Sequence, residues 1–248
     1  MNGKKRKLTL FGKVFVIKTY ALSKLVFPAS VLSVPEQVVS KLKTIFFEYL
    51  WGKRDKVKRS TVIKKLQEGG LNMVDLDSYF MSLKASWVPR IRVLNGKWTD
   101  CFNYYVHKLH LDSNYIFKMT TVSVNDFPIL KVLPKFYCDM IIAFNKSKTK
   151  KPFHLLTKHE IMQQPLWGND YFRICNTPLY FKQWIKAGML YVKDLISNDG
   201  LVKGDHTLYR DIDVKQDIVK QLYIIKKVII KKLKRIDTSI GPYVNIKN

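Results

Sequence analysis

Clustered cationic side chains are the feature of this sequence best suited to a chemical role, and that role is phosphate binding. The 248 residues include 44 Lys and Arg against 19 Asp and Glu, a formal net charge of +25. Such a field attracts polyanions. The densest run directly follows a Trp-Gly pair and contains one acid; its cations are Lys53, Arg54, Lys56, Lys58 and Arg59. We expect this run to contact phosphates, the alternative being a solvated loop.

Three further lysines, Lys13, Lys18 and Lys24, interrupt an apolar segment from Leu8 to Val31 that is a candidate helix. Along the whole chain, basic residues alternate with Trp, Phe, Ile and Leu and are not confined to one tail. This pattern favours a folded nucleic-acid-binding surface over a disordered basic arm. Attachment to an anionic membrane surface and association with a ribosome are the alternatives that charge alone leaves open.

Motifs for phosphoryl or metal chemistry are incomplete. Gly12-Lys13 resembles the end of a phosphate-binding loop, but Lys7 stands where such a loop begins with glycine, and Val14 stands where it needs Ser or Thr. Two carboxylate pairs could bind a divalent ion but fit helix capping better: Asp75 with Asp77, and Asp211 with Asp213. The sequence therefore predicts no catalytic residue, no metal site and no cofactor.

Cysteine usage indicates a reducing environment. Cys101, Cys138 and Cys175 are odd in number and widely spaced, which does not fit a disulfide framework. His107 and His110 lie near Cys101, but this spacing matches no closed zinc site. We expect an intracellular protein of the nucleus or the cytoplasm.

No membrane partner is predicted. The basic N-terminus lacks the apolar core and the cleavage site of a signal peptide. The most apolar stretch, from Val14 to Val34, is interrupted by Lys18, Lys24 and Pro28, which argues against a membrane span.

Helical periodicity predominates and predicts a mainly α fold. Ser33 fits an N-cap with Glu36 as its capping-box partner, and Gly52 is expected to end the helix that follows. The predicted apolar face of that helix comprises Val38, Val39, Leu42, Ile45, Phe46, Tyr49 and Leu50.

The next predicted helix starts at Asp75, Asp77 or Ser78, and Pro89 is expected to kink or end it. Its apolar face comprises Phe80, Leu83, Trp87 and Ile91. Shorter helices are predicted over residues 100–110, 136–144 and 186–196, and a small β-hairpin is predicted over residues 172–181 around Asn176-Thr177.

A basic amphipathic helix is predicted to end the chain, with Asp213 as its cap and Gln216 three residues later. Its apolar stripe, from Leu222 to Ile236, could bind a protein partner. The polar basic segment from Lys146 to Pro152 is the best linker candidate.

Four ordered segments together resemble one family: Leu8 to Val26, Glu36 to Gly52, Lys64 to Leu76, and Leu83 to Trp87. They are similar to the region downstream of the polymerase palm in the reverse transcriptases of LINE-type (non-LTR) retrotransposons. That region comprises the thumb and its C-terminal continuation. Later segments also look like the distal region of that family: Gln164 to Asn169, Ile174 to Tyr180, Trp184, and Gly188 to Leu195.

The resemblance implies binding of RNA, DNA or an RNA–DNA hybrid. A thumb contacts the backbone phosphates of a template–primer duplex across the minor groove, and Lys13, Lys18 and Lys24 would do so here, with the run after Trp51 extending the track. It also implies a helical thumb-like domain over residues 1–95. A helical connector over 96–151 and a smaller mixed module over 152–248 would follow.

This chain departs from the family where catalysis is concerned. It contains no Asp-Asp dipeptide of the kind that binds magnesium in the palm, and it lacks the Cys/His knuckle of many relatives. Polymerase activity, with its magnesium, belongs to the parent family and is not assigned to this chain. We expect a truncated or fragmentary copy that binds nucleic acid without catalysis.

Two alternatives are also compatible with the sequence. The chain could be part of an active RNA-directed DNA polymerase encoded by a longer reading frame, which palm motifs in frame upstream of Met1 would show. It could instead be a basic scaffold that binds RNA or a protein partner through the stripe from Leu222 to Ile236.

Overall fold

The computed structural model describes residues 8–52, 54–93, 95–197, 203 and 216–234. The prediction of a mainly α fold with a short β-hairpin is confirmed. The chain forms two compact units, Met1–Trp87 and Val88–Asn248. The finer division at residues 95/96 and 151/152 stays a prediction.

Short helices make up most of both units. Those of the first are α1 Leu10–Val16, α2 Leu22–Val31, α3 Glu36–Trp51, α4 Arg59–Ile63 and α5 Leu76–Ala85. Those that follow are α6 Trp87–Val93, α7 Lys97–Lys108, α8 Ser113–Lys118, α9 Lys135–Ser147, α10 Lys158–Met162, α11 Lys182–Lys186 and α12 Gln216–Lys234. Strands β1 Arg173–Ile174 and β2 Thr177–Pro178 pair antiparallel.

The helix predicted from Leu8 to Val31 spans Leu10–Val31 as α1, one π-helical turn (Ile17–Ala21) and α2. The Thr9 hydroxyl caps it by accepting from the Gly12 N–H. By length and composition alone, this helix could also cross a membrane, and 22% of its most apolar window is buried. The π turn shifts the later side chains around the helix axis relative to an uninterrupted α-helix.

Helix α3 begins at Glu36, with Pro35 at the N-cap, so the predicted cap at Ser33 is wrong. The residue before a proline favours extended backbone, which keeps Val34 out of the helix. Gly52 ends α3 at φ 93°, as predicted. The predicted apolar face is only partly right, because Val38, Ile45 and Tyr49 are exposed. The buried side chains are Val39, Phe46, Phe47 and Leu50.

Helix α5 meets the C-terminal end of α2. Asp75 caps α5, accepting from the Ser78 N–H, which confirms one of the three predicted caps. Lys84, on α5, donates to the Val31 carbonyl at 2.7 Å and is itself only 7% exposed. The indole N–H of Trp87 donates to the Ser30 carbonyl at 3.0 Å. Both carbonyls lie in the last turn of α2, where no intrahelical donor remains.

Pro89 does not kink α5, contrary to the prediction. Helix α5 already ends at Ala85, and a new helix, α6, starts at Trp87. Pro89 therefore lies in a first turn, where the backbone N–H that proline lacks has no intrahelical acceptor.

The core of the second unit is built on Trp167 and Trp184, both fully buried. The Trp167 indole N–H donates to the Met189 carbonyl at 2.7 Å, and that of Trp184 donates to Gln221 Oε1 at 3.0 Å. The buried Tyr115 hydroxyl accepts from the Trp167 N–H and donates to its carbonyl, both at 3.0 Å. Each buried polar atom of this cluster therefore has a partner.

The hairpin lies where it was predicted, but its turn is one residue earlier. Cys175 and Asn176 have φ of 46° and 64°, and Ile174 pairs with Thr177. Two successive residues at positive φ are characteristic of a two-residue hairpin turn that matches strand twist. The helix predicted over 186–196 is also misplaced: α11 ends at Lys186, and Gly188 at φ 77° follows.

Helix α12 packs its apolar stripe inside the second unit, where Leu222, Ile225 and Ile229 are buried. These three side chains do not provide the exposed surface that a partner would need. Three residues named in the sequence predictions lie outside the described residues: the cap Asp213, the last residue of the stripe, Ile236, and the carboxylate Asp211.

Lys148 anchors the segment that was predicted to be a linker. Its ammonium donates to the carbonyls of Phe117 at 2.5 Å and Met119 at 2.9 Å, and to Asn145 Oδ1 at 2.7 Å. Burial, together with the charges of Arg92 and Lys150, lowers the pKa of Lys148 to about 8. Desolvation thus outweighs the three acceptors in setting the charge of this lysine.

Truncating the α3 core should destabilise the first unit. We expect Leu50→Ala to lower the free energy of unfolding by about 2–5 kcal/mol, since Leu50 is fully buried and its loss leaves a cavity. Val38→Ala on the exposed side of α3 should change it by no more than about 0.5 kcal/mol. Urea unfolding followed by circular dichroism measures both. Equal effects would place Leu50 outside the core.

The stability contribution of Lys148 should depend on pH. Its pKa is about 8 when folded and near 10.5 when unfolded, so between these values the unfolded chain binds more protons. The folded state is therefore destabilised by the charge below pH 8, and this destabilisation is relieved as pH rises toward 10.5. The wild type should gain about 2 kcal/mol relative to Lys148→Met between pH 7.5 and pH 9.5. Paired urea titrations at pH 7.5 and 9.5 measure it, and an unchanged difference contradicts the assignment.

Candidate nucleic-acid interface

The predicted basic run forms an exposed loop between α3 and α4. Arg54, Lys56 and Lys58 are exposed and form no ion pair or hydrogen bond with the described part of the chain. Lys53 lies outside the described residues. Three cations within five residues, none with a neutralising partner in the described ranges, produce a local positive field that attracts phosphates.

Arg59, at the first position of α4, is fixed by two contacts. Its Nε donates to Asp55 Oδ2 at 2.7 Å, and its guanidinium lies 4.7 Å from the centre of the Phe47 ring. The guanidinium keeps donors that do not face Asp55, so it remains able to bind an oxyanion. Asp55, the one acid of the run, is thus used within the loop and orients Arg59.

Lys13 binds the protein itself. Its ammonium donates to the Leu50 carbonyl at 2.9 Å and lies 6.0 Å from the centre of the Tyr49 ring. Leu50 belongs to the last turn of α3, whose carbonyls have no intrahelical donor and carry the negative end of the helix dipole. Lys13 therefore connects α1 to the end of α3, a role that the sequence pattern did not indicate.

Lys24 lines a groove of about 400 Å³ between the Leu10–Val31 helix and α3. Tyr20 and Tyr49 flank it, and both are exposed. The remaining lining residues are Val16, Ile17, Ala21, Ile45 and Phe46. The groove places a cation, which can contact a backbone phosphate, beside two accessible aromatic rings.

Lys18 does not line this groove and is half-buried. It lies four residues from both Val14 and Leu22, which are buried. The three predicted lysines of this helix therefore have three different environments. Lys13 binds a carbonyl, Lys18 lies near the core, and Lys24 faces the groove.

Helix α3 brings the remaining candidates together. Lys13 and Lys24 both lie near Tyr49, while Arg59 lies over Phe47, two residues earlier on the same helix. The sequence pattern assigned Tyr49 to the apolar core and did not mark Tyr20 at all. Tyr49 is four residues from Ile45, and Tyr20 is four residues from Lys24. These are ordinary helical spacings, which do not reveal that a groove is open to solvent.

The carboxylates have structural roles where they are described. Asp75 caps α5, and Asp77 pairs with Lys43. Cys138 is buried, and its thiol donates to the Leu130 carbonyl at 2.8 Å. Within the described ranges, no three His, Cys, Asp or Glu side chains come together as metal ligands.

Replacing Lys13 and Lys24 should separate a structural lysine from an exposed one. Lys13→Met should lower the free energy of unfolding by about 1–3 kcal/mol, because the half-buried Leu50 carbonyl loses its donor. Lys24→Met, a matched loss of one charge on the same helix, should change it by no more than about 0.5 kcal/mol. Urea titration checks both, and a larger effect at Lys24 would reverse the assignment.

Comparison with known proteins adds no identification. The chain matches no family model, no curated protein and no solved structure. A function for this protein therefore depends on the charge and geometry of its own surface.

Proposed function

We propose that this chain binds the sugar–phosphate backbone of a nucleic-acid duplex through its first unit, in the manner of a reverse-transcriptase thumb. The observation that carries the proposal is the loop of exposed, unpaired cations, Arg54, Lys56 and Lys58, next to a positioned Arg59. Lys24 lines the groove between the Leu10–Val31 helix and α3, and α3 leads directly into this loop. The resemblance to LINE-type reverse transcriptases supports the same role.

The charge balance of this unit favours a polyanion. Residues 8–87 hold 13 Lys and Arg against six Asp and Glu. Two of those acids are already neutralised, Asp55 by Arg59 and Asp77 by Lys43. A multivalent partner such as a nucleic-acid backbone gains from such a surface through release of its counterions.

The mode of binding we propose reads shape and charge but no sequence. Lysine and arginine side chains on an exposed loop contact phosphates, which position a duplex and carry no base identity. An RNA–DNA hybrid tends toward A-form, with a wide and shallow minor groove that an exposed helix can approach. The proposed ligand is therefore a duplex of RNA, DNA or hybrid.

Catalysis is not part of this proposal. Two-metal phosphoryl transfer needs a pair of carboxylates held together over the reacting phosphate. The chain has no Asp-Asp dipeptide, and Asp75 and Asp77 already serve α5 and Lys43. DNA synthesis that involves this chain would need a polymerase palm built from residues outside this sequence.

Neutralising the loop should flatten the salt dependence of binding. With about six phosphate contacts, log K should fall with log salt at a slope near −5 for a duplex. The triple variant Arg54→Gln, Lys56→Gln, Lys58→Gln should reduce the size of that slope by about 2–3. Fluorescence anisotropy with a labelled hybrid at several salt concentrations measures it.

A matched control separates local contact from net charge. Lys131→Gln, Lys135→Gln and Lys146→Gln remove three charges from exposed lysines of the second unit and should leave the slope unchanged. Equal flattening by both triples would reduce the proposal to non-specific attraction. Binding to anionic vesicles without binding to the hybrid would refute it, and would assign the exposed Phe11, Phe15 and Phe27 to a bilayer.

A further inference from the structure

A second groove, in the other unit, lies between the β-hairpin and α12. Its volume is about 440 Å³. Four of its eight lining side chains are cationic and none is acidic: Arg173, Lys227, Lys231 and Lys232. The other lining residues are Ile174, Tyr223, Ile224 and Val228.

The exposed side of α12 combines lysines with an accessible aromatic ring. Tyr223 is 66% exposed, and the Lys227 ammonium lies 5.8 Å from the centre of its ring. Lys227 and Lys231 are four residues apart, so they lie on one face, about 6 Å apart along the axis. The buried face, with Leu222, Ile225 and Ile229, is a different one, so these lysines are not needed to fill the core.

The four cations of this groove are not arranged around a single small anion. Arg173, the residue best suited to bind a lone phosphate with two hydrogen bonds, pairs through Nη2 with Asp170 at 3.2 Å, so a negative charge stands beside it. Lys232 lies 5.8 Å from the centre of the Phe153 ring. The charges are thus spread over more than one helical turn, as a polymer of phosphates requires.

The aromatic ring and the apolar floor decide between kinds of polyanion. Bases stack on an exposed tyrosine only when they are unpaired, as in single strands. A bilayer would instead need large apolar side chains on the outer face of α12. The groove presents lysines and Tyr223 there, while Ile224 and Val228 are half-buried in its floor.

We infer that this groove binds a single-stranded nucleic acid, with Tyr223 stacking on a base and Lys227 and Lys231 contacting successive phosphates. The inference goes beyond the proposed function, because it places a second site in the other unit and for a different form of nucleic acid. It does not depend on the loop of residues 54–58.

The test uses the full chain and a fluorescein-labelled ten-nucleotide oligouridine. Tyr223→Ala should weaken binding about tenfold through loss of one stacked base, and Tyr223→Phe, which keeps the ring, should restore most of it. Tyr104→Ala is the matched control, since Tyr104 is also exposed and has a lysine, Lys108, 4.4 Å from its ring centre. It should bind like the wild type.

Salt dependence tests the phosphate contacts separately. Lys227→Gln with Lys231→Gln should reduce the size of the slope for oligouridine by about 1.4, whereas Lys131→Gln with Lys135→Gln should not change it. Melting curves of each variant show that it is folded. If Tyr223→Ala does not fold, the other two variants still test the inference. It requires a flatter salt dependence for the double variant of Lys227 and Lys231, and near-normal affinity for Tyr223→Phe.

The outcomes distinguish this inference from the proposed function. If Tyr223→Ala weakens oligouridine binding while the triple variant of residues 54, 56 and 58 leaves hybrid binding unchanged, the groove is supported and the duplex proposal is refuted. If the triple variant weakens hybrid binding while Tyr223→Ala leaves oligouridine binding unchanged, the duplex proposal is supported and the groove is refuted. Equal losses in Tyr223→Ala and Tyr104→Ala would overturn the inference. So would binding of phosphatidylserine vesicles that depends on Lys227 and Lys231 while oligouridine binding does not.

Discussion

Hydrogen bonds from lysine ammonium groups to backbone carbonyls are the interaction on which this structure depends. The Lys13 ammonium donates to a carbonyl at the end of α3, and the Lys84 ammonium donates to one at the end of α2. Lys148 donates to two carbonyls, one in the last turn of α8 and one just after that helix. Each of these three ammonium groups donates to backbone carbonyls, whose dipoles are aligned at the C-terminal ends of helices and stabilise the charge. Moving a charge out of water is unfavourable, and the low pKa of Lys148 reflects it.

This division of the lysines determines which of them can bind a ligand. A lysine that donates to a half-buried carbonyl cannot move away to a distant phosphate without leaving that carbonyl unpaired. Lys13 is therefore part of the scaffold of the first unit, although its position in the sequence resembles that of Lys24. Exposed cations without such a partner, as at Arg54, Lys56 and Lys58, remain available for binding.

The sequence predicted the kinds of elements better than their faces and ends. Gly52, Asp75 and the hairpin were found because each depends on a local property: positive φ, a side-chain cap or a short turn. The face of α3 was assigned wrongly in part, since periodicity does not show that Tyr49 lies beside an open groove. The role of Lys13 depends on a carbonyl 37 residues away, which no local pattern contains.

Both candidate surfaces place a lysine beside an exposed tyrosine: Lys24 near Tyr20 and Tyr49, and Lys227 over Tyr223. The surroundings of these tyrosine rings differ between the two surfaces. The first groove lies between two helices, one of which is α3, and the exposed cations of residues 54–58 follow α3 along the chain. The second lies beside one helix whose lysines are a single turn apart, which matches one strand. The excess of 25 positive charges is therefore divided between two units, and each unit carries one of the two proposed surfaces.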